Sequence, residues 1–158
     1  MFKSGDMAVY PAHGVGKIES IEMKDIGGFE QNFYVMKIIE TGMVVMIPTT
    51  TNGTGLRGII PAKDVKKVYA ILKEKDVEIL PQPWNQRYRD YTQKIKSGSV
   101  YEIASVLRDL NVLSSDKSLS FGEKKMMETA KALLVAEIAL ANQTQEQLVE
   151  DDLDKIFS

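Results

Sequence analysis

The feature that most constrains this chain is a change of hydrophobic period at Pro61. Ahead of it, apolar residues alternate in short runs broken by glycine and proline. Beyond it they recur at the i, i+3, i+4 spacing of a helix face. Strand patterns followed by helix patterns, rather than strands and helices in alternation, predict an α+β chain. Met7 to Tyr10 reads as a strand ended by Pro11, and Gly16 to Met23 as a second with Ile18 and Ile21 on one face. Asp25-Ile26-Gly27-Gly28 is a hairpin signal. Phe29 to Ile39 forms a long strand, Thr41-Gly42 turns the chain into Met43 to Ile47, and Pro48 ends that run before the loop Thr49 to Gly55. Short strands at this spacing, with no helix between them, predict a small antiparallel barrel.

In the second half Pro61 suits a first helical turn, and Val65, Val68, Tyr69 and Leu72 share a stripe. Lys73 to Pro83 is charged and proline-punctuated, so it is expected to link two domains. Trp84 to Lys96 reads as a helix stopped by Ser97-Gly98. Ser99 with Glu102 and Ser120 with Glu123 form capping boxes that open the next two helices. Their expected buried stripes are Val100, Ile103, Leu107 and Leu110, then Met127, Ala130, Leu134, Ile138 and Ala141. Thr144 opens a last helix with Val149, Leu153 and Ile156 inward. Four helices with short connections predict a compact bundle. The chain of 158 residues thus divides into a β domain over 1–60, a short helix and linker over 61–80, and an all-helical domain over 81–158.

Composition removes most enzyme classes. There is no cysteine and one histidine, so thiolate chemistry, disulfides and a zinc cluster are excluded. The apolar runs are far shorter than the roughly 20 residues of a membrane span, and Met1 to Asp6 has no apolar leader, so a cytoplasmic protein without membrane contact is expected. The sequons at Asn52 and Asn142 therefore read as chance. Gly53-x-Gly55-x-x-Gly58 matches a dinucleotide fingerprint in spelling only. Ile59-Ile60-Pro61 follows it, where the fingerprint needs a helix. His13, in a turn, reads as structural, and Glu150-Asp151-Asp152 as a solvated helix face. No catalytic residue, metal ligand, cofactor or small-molecule substrate is indicated.

What remains is a local charge pattern. The net charge is −2, yet Arg87, Arg89, Lys94 and Lys96 crowd one helix against Asp90 alone. That helix begins with the only tryptophan, Trp84, after Pro81-Gln82-Pro83. At 100° per residue Trp84, Tyr88, Tyr91 and Ile95 share a stripe flanked by those cations. Tyr88, Tyr91 and Ile95 read as core. For Trp84 two readings stand: a core residue, or an apolar wedge against a DNA base step with arginines on neighbouring phosphates. Lys124 and Lys125, in the first turn of the long helix, add a second cationic group beside backbone N–H donors.

The chain resembles the CarD/CdnL family of bacterial transcription regulators. The resemblance lies in Gly5-Asp6 through Val9-Tyr10-Pro11 to His13-Gly14, in Phe33-Tyr34 to Ile38, and in Val44 to Pro48. It continues in Trp84 with Arg87-Tyr88, in Leu119 to Lys124, and in Leu133 to Glu137. The first domain is also similar to the polymerase-interacting module of transcription-repair coupling factors. The resemblance implies a Tudor-like barrel that binds the β subunit of bacterial RNA polymerase through Lys24, Asp25, Ile26, Met46 and Pro48. It also implies a helical domain that contacts promoter DNA at the upstream edge of the bubble through Trp84, Arg87 and Arg89, with Lys124 and Lys125 as further contacts. Some members carry arginine at the positions of Lys24 and Met46, so this interface is expected to be more apolar. The expected function is a non-enzymatic regulator that stabilises the open promoter complex and is nucleoid-associated through polymerase. The competing readings are an adaptor that docks on a protein without touching DNA, and a reader of modified peptides. The latter would need an aromatic cage, whereas Tyr10, Phe29, Phe33 and Tyr34 alternate as core residues do.

Overall fold

The computed structural model describes residues 2–50, 54–79, 83–116 and 118–157. The readings that fall on Thr51-Asn52-Gly53 and on Leu80-Pro81-Gln82 lie outside the described residues. The chain is α+β, as its periods predict, and divides into two units, Met1–Ile59 and Ile60–Ser158.

The first unit is one antiparallel sheet of five strands in the order β4-β3-β2-β1-β5. The strands are β1 (Met7–Tyr10), β2 (Gly14–Ile26), β3 (Phe29–Ile38), β4 (Val44–Pro48) and β5 (Arg57–Gly58). Among the described residues no ladder joins β4 to β5. Ala8, Ile18, Tyr34, Met36, Ile38 and Ile47 form its core. Gly58 pairs with Ala8 inside a strand, which disposes of the fingerprint glycine as a helix residue. His13 stacks on Tyr10, ring centroids 5.2 Å apart.

The β2–β3 hairpin closes through Gly27 (φ 60°) and Gly28 (φ 87°), with Ile26 opposite Phe29. Two positive φ values in a two-residue loop are what the sheet's twist requires, and glycine supplies them without steric cost. The Gly28 N–H donates to Asp25 Oδ1 at 3.1 Å. Lower down, Ile18 faces Met36 while Ser20 faces Val35, so Glu19 is an extra residue in β2. This bulge puts Ile18 and Ile21 on the same face, which strict alternation forbids for residues three apart. The Ser4 hydroxyl donates to Glu19 O at the bulge (2.8 Å).

The second unit is a bundle of five helices: α1 (Val65–Lys73), α2 (Trp84–Lys96), α3 (Val100–Asp116), α4 (Phe121–Ala141) and α5 (Glu146–Phe157). A single 3-10 turn, Ala62–Asp64, leads into α1. Val65, Val68 and Leu72 of α1 pack in the same core as Leu107, Leu110, Leu134 and Ile138. The helix that the sequence places between two domains is therefore a member of the bundle. Its stripe is fully apolar, and burial against α3 is the only way to remove it from water. The segment after α1 accordingly connects two helices of one unit rather than two domains. On α4 the buried stripe runs through Met126 rather than Met127, together with Ala130, Leu134, Val135 and Ile138. Glu137 is also buried there, and its Oε2 accepts the Ile60 N–H at 2.9 Å.

Candidate functional site

Two surfaces carry the residues singled out above, one on each unit. On the sheet, the register decides which side chains meet. Val35 lies opposite Met46, Phe33 opposite Pro48, Gln31 opposite Lys24 and Phe29 opposite Ile26. Alternation then puts Lys24, Ile26, Phe29, Phe33, Val35, Val44, Met46 and Pro48 on one face, the side away from Tyr34, Met36 and Ile47. The same alternation adds Ser20, Glu22, Gln31 and Lys37, so exposed apolar side chains are interspersed there with polar ones: Phe29 is 78% exposed, Ile26 58% and Met46 44%. Four of the five candidates on this unit thus share a surface. Asp25 lies on the opposite face of the hairpin, and its carboxylate is engaged by the Gly28 N–H. The alternation of the sequence makes Phe29 a core residue, but past the bulge the hairpin outruns the core and the ring is left largely exposed.

One margin of that face is β4, an edge strand. The Ile38 N–H donates to Met43 O (2.8 Å), and the Thr49 N–H donates to Asn32 O (3.0 Å). In antiparallel pairing this phase directs the main-chain groups of Val45 and Ile47 to β3 and those of Val44 and Met46 outward. Pro48 ends the row of donors, since it has no N–H.

On the bundle, the first turns of α2 and α4 come together. The α2 helix starts on Pro83, whose carbonyl accepts the Gln86 (3.0 Å) and Arg87 (3.1 Å) N–H groups. The α4 helix starts with a complete capping box: Ser120 Oγ accepts the Glu123 N–H at 3.2 Å, and Glu123 Oε1 accepts the Ser120 N–H at 3.0 Å. Trp84 is half-buried and lies outside the hydrophobic core. Its indole meets Tyr88 edge to face, centroids 5.5 Å apart, and covers Gly122 of α4. Tyr88, expected in the core, is half-exposed and serves as a side wall for that indole. Tyr91 and Ile95 are buried as expected.

The cations divide sharply. Arg89 is exposed, its Nε donating to Asn85 O at 3.5 Å, and Lys124 and Lys125 are exposed on the first turn of α4. Arg87 is not a surface cation. It is buried, with Nη1 3.6 Å from Glu123 Oε2, and the two side chains are 7% and 4% exposed. The helical wheel places Arg87 beside the stripe, but α4 crosses there and covers it. Burial pushes the neighbouring Tyr91 phenol up to about 12, and the Asp109 carboxylate adds to the shift while Arg87 opposes it.

One residue of this corner escaped the sequence reading. Phe121, the first residue of α4, is 84% exposed beside Gly122. Its signal was available: it falls off the Met126–Ala130–Leu134 stripe, and an apolar side chain off the stripe at a helix start has no core to enter. Among the described residues no group of three or more histidines, cysteines or carboxylates could hold a metal ion, and no helix is long and apolar enough to cross a membrane.

Comparison with known proteins agrees with this division. The CarD-like/TRCF RID domain family matches residues 2–60, and the family of the CarD C-terminal domain matches residues 67–154. YdeB of Bacillus subtilis (strain 168), designated a candidate transcription factor, is 36% identical over 151 residues, which is 95% of this chain and 98% of YdeB. A solved structure described as "CdnLNt from Myxoccoccus xanthus" is 51% identical and covers 38% of this chain and 86% of its own, with a TM-score of 0.33. With both family domains present in order and a relative aligned along almost its whole length, the chain belongs to the CarD/CdnL family of transcription regulators.

Proposed function

We propose that the chain is a non-enzymatic regulator of transcription initiation that bridges the β subunit of RNA polymerase and promoter DNA, and that it stabilises the open complex. The sheet supplies the polymerase contact. Its outer face carries Lys24, Ile26, Met46 and Pro48 together with exposed Phe29, and the β4 edge offers main-chain groups to a partner strand. The corner of the bundle supplies the DNA contact. Trp84 and Phe121 are the apolar contacts there, and Arg89, Lys124 and Lys125 face the phosphates.

The observation that carries this reading is the placement of the only tryptophan. A large apolar ring that had no partner but water would be buried in a bundle of this size. Here it is only half-buried, at a corner with exposed cations on both contributing helices. A few phosphate contacts give weak, salt-sensitive affinity without sequence preference. Tethering through polymerase raises the local concentration of DNA, so weak affinity suffices. Preference for the open over the closed complex then shifts that equilibrium by the difference in affinity alone, about 1–2 kcal/mol on the scale of typical coupling between sites.

The test is Trp84→Ala, read by the lifetime of the open complex after competitor challenge and by retention of polymerase on the tagged protein. Shorter lifetime with polymerase retained is the expected result. An unchanged lifetime rejects the wedge, and the absence of a salt-dependent shift on forked promoter DNA would leave a protein-only adaptor.

A further inference from the structure

Gly122 is the second residue of α4, and its backbone is ordinary right-handed helix, so no turn or positive φ asks for glycine there. Alanine would be the better helix former at that position. What glycine provides is space. A Cβ at Gly122 would lie 3.2 Å from Cζ2 of Trp84 and 3.7 Å from both Cε2 and Nε1. The edge of the indole that carries its N–H therefore lies on bare backbone.

The same two turns are clamped from within. Arg87 follows Trp84 by three residues, and Glu123 follows Gly122 directly. Their side chains meet at 3.6 Å under the surface. Arg87 Nε has no hydrogen-bond partner among the described residues, and Nη1 makes the ionic contact with Glu123. Glu123 is in turn fixed by the capping box with Ser120. At 3.6 Å the contact is ionic and longer than a charge-assisted hydrogen bond, so it orients the two side chains more than it stabilises the fold.

We infer that Gly122 and the Arg87–Glu123 pair form the seat of the Trp84 indole: positioning residues that set which edge of the ring faces outward. In this assignment Arg87 acts through Trp84 and touches no phosphate. The seat is a property of the free chain. Its consequence for DNA rests on the proposed role of Trp84.

Because Trp84 is the sole tryptophan, intrinsic fluorescence of the full-length protein reports the seat without polymerase or DNA. Gly122→Ala is expected to melt at or above the parent temperature, to shift the emission maximum to the red, and to increase quenching by acrylamide. It should shorten the open-complex lifetime about fivefold, the lower end of coupling between linked sites. Glu123→Gln keeps an acceptor for the capping box and replaces the carboxylate oxygen that meets Arg87 with an uncharged NH2. It should give the same spectral change with a lower melting temperature, which keeps the test valid should Gly122→Ala fold poorly. Parent-like emission and quenching in the folded variants would overturn the seat. A spectral change with an unaltered lifetime would uphold the seat and remove the DNA role of Trp84.

Discussion

Replacing Arg87 with methionine separates a buried clamp from a surface cation. Methionine keeps most of the aliphatic length, so little packing is lost, but the charge that meets Glu123, itself 4% exposed, is removed. Removing one member of a buried ion pair costs about 3–5 kcal/mol. The low end applies here, for two reasons. The contact of 3.6 Å exceeds the roughly 2.7–2.9 Å of a strong charge-assisted bond. Glu123 also keeps the Ser120 N–H at 3.0 Å. A loss of about 3 kcal/mol in a unit of this size lowers the melting temperature by at least about 12 °C. Urea and thermal unfolding followed by far-ultraviolet circular dichroism measure it directly. Adding Glu123→Gln to Arg87→Met removes the buried carboxylate charge as well and should restore at least about 1 kcal/mol, so the double-mutant cycle shows strong coupling. Arg89→Met, by contrast, should stay within about 0.5 kcal/mol of the parent. If Arg87→Met also stays within about 1 kcal/mol, with no coupling to Glu123, the clamp is refuted and Arg87 returns to the set of solvent-facing cations.

Met46→Glu puts a charge on the β4 margin of the outer face and should abolish retention of the polymerase β subunit in a pull-down without changing the melting temperature. Phe121→Ala should leave stability unchanged and weaken binding to forked promoter DNA, read by fluorescence anisotropy. Lys124→Glu and Lys125→Glu should each flatten the log–log dependence of that binding on salt by about 0.9 or more, the contribution of one phosphate contact. At high pH, burial holds the Tyr91 phenol at about 12, whereas an unfolded tyrosine titrates near 10. The folded state keeps a proton that the unfolded state releases, so this contribution to stability is whole below about pH 10 and is lost as pH climbs towards 12. Tyr91→Phe should therefore lessen the alkaline loss of stability, by at most about 1.4 kcal/mol per pH unit.

The broad plan was legible because period is a local signal. The switch at Pro61, the Gly27-Gly28 loop and the Ser120–Glu123 capping box are each decided by residues within a few positions of one another. What the sequence could not reveal depends on which element crosses which. The stripe of α1 looks like that of any amphipathic helix, and nothing in it says that α3 is its partner. Arg87 and Arg89 are equally cationic on paper. Only the crossing of α4 over one and not the other makes the first a buried clamp and the second a surface group. Trp84 stayed undecided between core and wedge for the same reason, since its surroundings come from Gly122, far along the chain. On the sheet, the resemblance pointed to Lys24, Ile26, Met46 and Pro48. The pairing explains why they make one surface, and why Asp25 does not join it.

The extra residue at Glu19 settles a dispute between two ends of one hairpin. The two-glycine loop dictates one alignment of β2 with β3, and the packed interior dictates another, offset by a single position. Neither could prevail over the full length without turning Ile18 out to water or Ile26 in toward the interior. The kink lets each half keep its own phase, so the projecting arm behaves as a cassette. Lengthened or shortened by two pairs at a time, it would go on presenting the same side to a partner; changed by a single pair, its tip would present its back.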